Sequence, residues 1–341
     1  MMTRNDVEVQ GAGTGHDKPM LVHVLNVMNI PFTIMVKPWG AVPGDHHRDQ
    51  TAIASATDAA VSQIDAFLRD VDMRFSPFKQ ESSVSAARRG EWSAMLRDRE
   101  FREIYAKTAL ANTITHGAFD AYYQGHYDPT GLVKGWAIET AIARFLRPLL
   151  QPSVAPVPHR TTQPSRDTDH RALAEAVAIN AGGDIRTAVA QHSDYIWHIG
   201  IEDPEDTKAL LGSCQIRDGG VATSGFSKRG AHIAHTTEDE VFTQLTVISD
   251  SVEDADLWAT AGIAGGMHLW SALVKEQGLT AVAVRGNGEV IRYSDGRLLD
   301  SNIPGPKVTT APSNTAQSNT AQSTTAQSAT AQIRETRGPS C

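Results

Sequence analysis

Ala176-Val-Ala-Ile-Asn180-Ala-Gly-Gly-Asp184-Ile-Arg186 is the stretch from which the fold is read. Residues 176–179 have the apolar, β-branched character of a buried strand. Gly182 and Gly183 let the backbone turn tightly and come close to a partner, and Asp184 can anchor that turn or a ligand. The stretch therefore predicts a tight strand-to-strand turn.

Just upstream, a helix is expected over about 170–177, preceded by an exposed loop over 148–168. The prolines, Gln, Ser, Thr and Arg of that loop cannot bury enough apolar surface to offset ordering. Ile138, Ala141, Ile142 and Phe145 mark a helix whose start is expected at the Lys134-Gly135 turn. Phe101, Ile104, Tyr105 and Thr108 mark another, ending near His116-Gly117. Val61, Ile64, Leu68 and Val71 mark an amphipathic helix running into Arg74-Phe-Ser-Pro-Phe78. From His23 to Lys37 the pattern is strand-like, and residues 1–19 read as a flexible arm.

Downstream, Trp197, Ile199 and Ile201 alternate as in a half-buried strand, and residues 241–249 form another. A helix from Asp254 meets a break at Gly265-Gly266 and restarts near His268. Residues 281–293 read as a closing hairpin across Gly286-Asn-Gly288. Three regions follow: the arm 1–19, a structured domain over 20–302, and a tail over 303–341. The tail carries a five-residue repeat, Ser-Asn-Thr-Ala-Gln and variants over 313–332, which has no apolar stripe and reads as disordered.

The chain has 341 residues, 40% of them hydrophobic, enough for one large core or two moderate ones. A net charge of -8 argues against nucleic acid as a partner, which would need a basic face to displace counterions. Any phosphate must then be met locally, by a metal, backbone amides and single lysines. Cys214 and Cys341 are too few for a disulfide framework, which fits a reducing compartment. The N-terminus lacks the basic-then-apolar order of a secretory signal, and the apolar run 20–36 is interrupted by His23, Asn26, Asn29 and Pro31. A cytoplasmic protein without membrane insertion is expected.

Two distant runs carry chemistry: Asp128-Pro-Thr-Gly131-Leu-Val-Lys134-Gly135 and Asp256-Leu-Trp-Ala-Thr260. Positions four apart share a helix face, so Asp256 and Thr260 can offer a carboxylate and a hydroxyl to one Mg²⁺. Lys134 at a helix start is unfavourable beside the positive end of the dipole, so a nearby anion is expected.

Five motifs in order, Asp-x-x-Gly-x-x-Lys-Gly, Asn-x-Gly-Gly-Asp, Ala222-Thr-Ser-Gly225, His232-Ile233 and Ala255-Asp-x-x-Ala-Thr-Ala261, resemble the ApbE-type family of FAD:protein FMN transferases. The resemblance covers about residues 25–295. It implies an α+β fold of mainly antiparallel sheets flanked by helices, in two interlocked lobes with FAD in a central cleft. Earlier elements of the family look like Met28-Asn-Ile30, Phe75-Ser-Pro-Phe78 and Gly117-Ala-Phe-Asp120. By that likeness Met28, Phe78, Ala118, Phe119 and Asp120 would line the FAD site, with Asp128, Lys134 and Ile233 also against the cofactor. Gly131, Asp256 and Thr260 would hold Mg²⁺, and His232 would act as the base.

The reaction implied moves FMN from FAD onto a Ser or Thr hydroxyl of an acceptor flavoprotein, releasing AMP. The family writes His-Ile-x-Asp-Pro where this chain has His232-Ile-Ala-His235-Thr236, and Thr130 replaces a family glycine. That departure gives one alternative, an FAD-binding protein without transfer activity; a second is an FAD pyrophosphatase releasing FMN and AMP, in which water replaces the acceptor hydroxyl.

Overall fold

The structure is a computed structural model that describes residues 19–39, 48–152, 172–206, 208–225, 242–302 and 333–336. The chain opens with a hairpin, β1 (Leu21–Val27) and β2 (Ile30–Pro38), closed by a two-residue turn at Met28-Asn29 with φ of 54° and 58°. Both central residues being left-handed is the turn that matches strand twist.

Helix α1 (Arg48–Phe75) follows, burying Ile53, Ala60, Ile64, Leu68, Val71 and Phe75 along one face. Two short helices, α2 (Ser83–Arg88) and α3 (Trp92–Met95), lead to α4 (Arg99–Ile114). Asp98 caps α4 by accepting hydrogen bonds from the backbone N–H of Glu100 and Phe101 at 2.9 and 3.2 Å. Helix α5 (Thr130–Ala141) continues through a π turn at Ile142–Leu146 and a 3₁₀ turn at Arg147–Leu150. Its start corrects the expectation of a helix beginning at Lys134-Gly135. The Asp128 side chain accepts from the backbone N–H of Thr130 at 3.0 Å and so starts the helix one turn earlier.

The helix expected over 170–177 is absent from the described part of that range. Ala172 pairs with Pro152, and β3 (Ala174–Ala181) is a strand buried along its whole length. Gly182-Gly183 then turns the chain into β4 (Asp184–Val189), as the sequence predicts, with φ of 64° and 103° and the Gly183 N–H donating to Asn180. After β5 (Ile196–Glu202) and β6 (Leu210–Ile216) come β7 (Gly219–Gly225) and β8 (Phe242–Ser249). Helix α6 (Val252–Gln277) is capped by Ser251 and bent at Gly266, where φ is 69° and ψ is -178°. The strands β9 (Thr280–Arg285), β10 (Val290–Ser294) and β11 (Arg297–Asn302) complete the body. Within the tail, β12 (Ile333–Thr336) pairs antiparallel with β5.

Nine strands form one sheet in the order β1-β2-β3-β4-β7-β8-β9-β10-β11, each neighbouring pair antiparallel. A second sheet, β12-β5-β6, arises as an excursion between β4 and β7. The mixed helix and antiparallel-sheet architecture is the one expected. The main core is built from α1, α4, α5 and strands β2 and β3, and a second core from β7 to β10. Helix α6 serves both: Val252, Leu257 and Ala261 enter the first, while Ala255, Trp258, Ala259 and Ile263 enter the second. Among the described residues, no helix is long and apolar enough to cross a membrane.

The helices α5 and α6 meet at Gly135. A Cβ there would lie 2.9 Å from the Glu253 Cα and 3.2 Å from the Asp256 Cβ, closer than atoms can settle. Exchanging a helical glycine for alanine ordinarily stabilises by about 1 kcal/mol. Here Gly135→Ala is expected to destabilise instead, by about 1–3 kcal/mol through overpacking, as read from urea unfolding midpoints.

Candidate active site

The charged centre of the molecule lies where α5, α6 and the β4–β7 pair converge. Lys134 on α5 contacts the Asp184 Oδ2, and its Nζ lies 3.3 Å from the Asp256 Oδ1. The side chains of all three are withdrawn from solvent, at 12% exposure for Lys134, 0% for Asp184 and 4% for Asp256. Asp184 owes its position to the glycine turn, which delivers it to the first residue of β4, and it also faces the Thr223 N–H at 3.4 Å. Asp256 stands one turn into α6, against the bare backbone of Gly135. Its Oδ2 is buried without a hydrogen-bond partner. A buried carboxylate oxygen left this way costs roughly 1–3 kcal/mol or more unless something binds it.

Thr260 follows Asp256 by one helical turn, and its Oγ1 lies 3.3 Å from the Ser224 Oγ on β7. The two helices run antiparallel: Gly135 lies at Val252–Asp256, while Gly131 lies against the Phe119 ring, and neighbouring Ala118 packs at Gly265 further along α6. Carboxylate, hydroxyl and carbonyl oxygens are the donors a hard cation takes, and a Mg²⁺ that keeps several waters needs few of them. Among the described residues there is no group of three or more His, Cys, Asp or Glu that could hold a metal ion. The Asp256 carboxylate and the Thr260 hydroxyl are oxygens of the kind a hard cation takes, and the orphaned Asp256 Oδ2 leaves one acceptor for it.

The expected anion beside Lys134 is found within the protein, as Asp184 and Asp256. Sequence reasoning noted Asp184 as an anchor for a turn or ligand but left it out of the site. Its complete burial beside a lysine was the missing information. Asp128 is committed locally. Its Oδ1 accepts from Thr130, and its Oδ2 pairs with Arg88 at 3.0 Å.

The residues expected to line a flavin are dispersed in exposure. Ala118 and Phe119 are buried, and Asp120 is exposed, accepting from the Tyr122 N–H. Met28 is half-buried in the hairpin turn rather than within a strand. Phe78 is 90% exposed. His232 and Ile233 lie outside the described residues, as do His235 and Thr236. Cys214 is a free thiol pushed up to about 11 by burial, which leaves it protonated and unsuited to nucleophilic work.

A second ionic group fixes the frame. Arg186 on β4 is buried and donates from Nε to both Glu139 carboxylate oxygens at 2.9 Å, and from Nη1 to Asp218 at 2.8 Å. Glu139 on α5 also accepts from the Val252 N–H at 3.1 Å, the first residue of α6. At the same helix end Glu253 pairs with Lys107 at 2.6 Å.

Residues 167–283 match the model of the ApbE family. Solved structures share the fold. The flavin transferase ApbE from Vibrio cholerae is 14% identical, with 81% of this chain and 97% of that chain covered and a TM-score of 0.53. The ApbE protein from Thermotoga maritima is 16% identical over 80% of this chain and 97% of that chain, with a TM-score of 0.55. The Pseudomonas stutzeri flavinyl transferase ApbE in its apo form is 15% identical over 83% and 97%, also at 0.55. No curated protein sequence matches the chain. The likeness read from the ordered motifs is thus borne out by a family model and by the fold. The matched segment contains Asp184, Ser224, Asp256 and Thr260.

Burial raises the Glu253 carboxyl above its usual range, with Lys107 pulling it back. The folded chain therefore holds this proton more tightly than the unfolded chain does. Its contribution to stability is present at acid pH and is lost as pH rises through that raised value. Glu253→Gln is expected to flatten the fall in stability just above the ordinary carboxylate range, measured as the difference in melting temperature between mutant and wild type across pH.

Proposed function

We propose that this chain is a Mg²⁺-dependent FAD:protein FMN transferase that moves FMN from FAD onto a Ser or Thr hydroxyl of an acceptor flavoprotein and releases AMP. The observation that carries the reading is the orphaned, buried Oδ2 of Asp256, one turn from the Thr260 hydroxyl, in the fold of the ApbE flavin transferases. Asp256, Thr260 and the Gly131 carbonyl would hold the ion. When bound, Mg²⁺ spreads the negative charge that develops on the diphosphate.

The chain's own residues supply the rest. Met28, Phe78, Ala118, Phe119 and Asp120 would receive the FAD, and the bare Phe78 ring is suited to a flat aromatic partner. Lys134 contributes positive charge beside the metal site. Asp128, paired with Arg88 at 3.0 Å at the start of α5, would contact the cofactor. Ile233 would pack on the cofactor. His232 would take the proton of the acceptor hydroxyl as its oxygen attacks the phosphorus on the FMN side, and the phosphorus–oxygen bond to AMP breaks. A neutral imidazole suits that work near pH 7. The low cysteine content fits a cytoplasmic setting.

Incubation with FAD, Mg²⁺ and a flavinylation-motif peptide should give a fluorescent product heavier by one FMN. Asp256→Ala should abolish it. Full transfer by that variant would overturn the metal assignment, and free FMN and AMP without labelled peptide would favour hydrolysis over transfer.

A further inference from the structure

The arrangement around Asp256 reaches beyond the reading above while resting on its metal site. Two carboxylates, Asp184 and Asp256, share the ammonium of Lys134 in a buried setting. The nearby acids have their own partners: Glu253 pairs with Lys107, and Glu139 with Arg186. Charge this far from water demands a counter-ion, and the one ammonium of Lys134 reaches both carboxylates.

The three groups differ in how firmly they are held. Asp184 is wholly buried at the start of β4 and faces the Thr223 N–H of β7, so it belongs to the sheet. Asp256 is fixed by the packing of α6 against Gly135. Lys134 sits at the end of a flexible four-carbon stem, in contact with Asp184 and 3.3 Å from the Asp256 Oδ1. A divalent ion on the Asp256 Oδ2 and Thr260 would meet this ammonium across a single carboxylate, and like charges at that range repel.

We infer that Lys134 stands in for the metal at Asp256 when the ion is absent, and that Asp184 is the positioning residue that draws the ammonium aside as the ion binds. Lys134 is then a competitor of the metal as well as its neighbour. Asp184 sets how strongly it competes.

Binding of Mn²⁺ to the full chain without FAD, read by loss of the free-ion electron paramagnetic resonance signal, tests this directly. K134M should bind Mn²⁺ about tenfold more tightly than wild type, and D184N about tenfold more weakly, because its lysine falls back on Asp256. The loss caused by D184N should shrink in the K134M/D184N double variant, since Asp184 acts largely through Lys134. K134M binding at wild-type strength or weaker overturns the inference. Should K134M fail to fold, D184N decides alone, and unchanged Mn²⁺ affinity there overturns it equally. D256N separates the two claims. If it binds Mn²⁺ as wild type does, the metal reading of the site has failed. If it loses binding while K134M and D184N match wild type, only the present inference falls.

Discussion

Two carboxylates and one ammonium enclosed between α5, α6 and the centre of the sheet set the terms for everything around them. Removing such groups from water costs several kcal/mol per ion, and the cost is met only where geometry is held tightly. The surrounding structure is built for that. Gly135 lets α5 lie against the backbone of α6, so that Lys134 and Asp256 arrive from different helices within reach of each other. The glycine turn at 182–183 delivers Asp184 at the first residue of a strand.

The Glu139 carboxylate extends this precision outward. It joins α5 to β4 through Arg186 and to the first turn of α6 through the Val252 N–H. Arg186 in turn reaches Asp218 and the Gly219 carbonyl at the start of β7. Four elements around the charged centre are thus tied by two ion pairs, Arg186 with Glu139 and with Asp218, made by residues separate from it. The separation is useful chemically, because the frame does not have to rearrange when the contents of the site change.

Much of this was readable in the residues, and the failures have physical causes. The periodicity of Ile64, Leu68 and Val71 gave α1, and the alternation of Trp197, Ile199 and Ile201 gave β5, because each element buries one face. Ala-Leu-Ala-Glu-Ala before Val177 is rich in helix formers, yet these residues enter a strand buried on both faces, where tertiary context overrides intrinsic preference. Gly135 looked like a helix boundary. It is interior, selected for close approach rather than for a turn. The strand β11 went unread because Arg-Leu-Leu-Asp-Ser-Asn does not alternate, although Asp295-Gly296, with φ of 48° and 77°, marked the hairpin before it. Of the site, Asp256 and Thr260 were legible from i,i+4 spacing. Asp184 required knowledge of burial that one sequence does not carry, and the flavin-side residues were placed by likeness alone.

The double burial of α6 bears on how the molecule comes apart. A chain of this size commonly melts in stages, one core after the other. Here neither core is complete without the same helix, so losing the packing on one side strips the other of Trp258, Ala259 and Ile263 as well. Heat should then dissolve the body in one cooperative transition, with calorimetric and van't Hoff enthalpies in agreement and no half-melted species between.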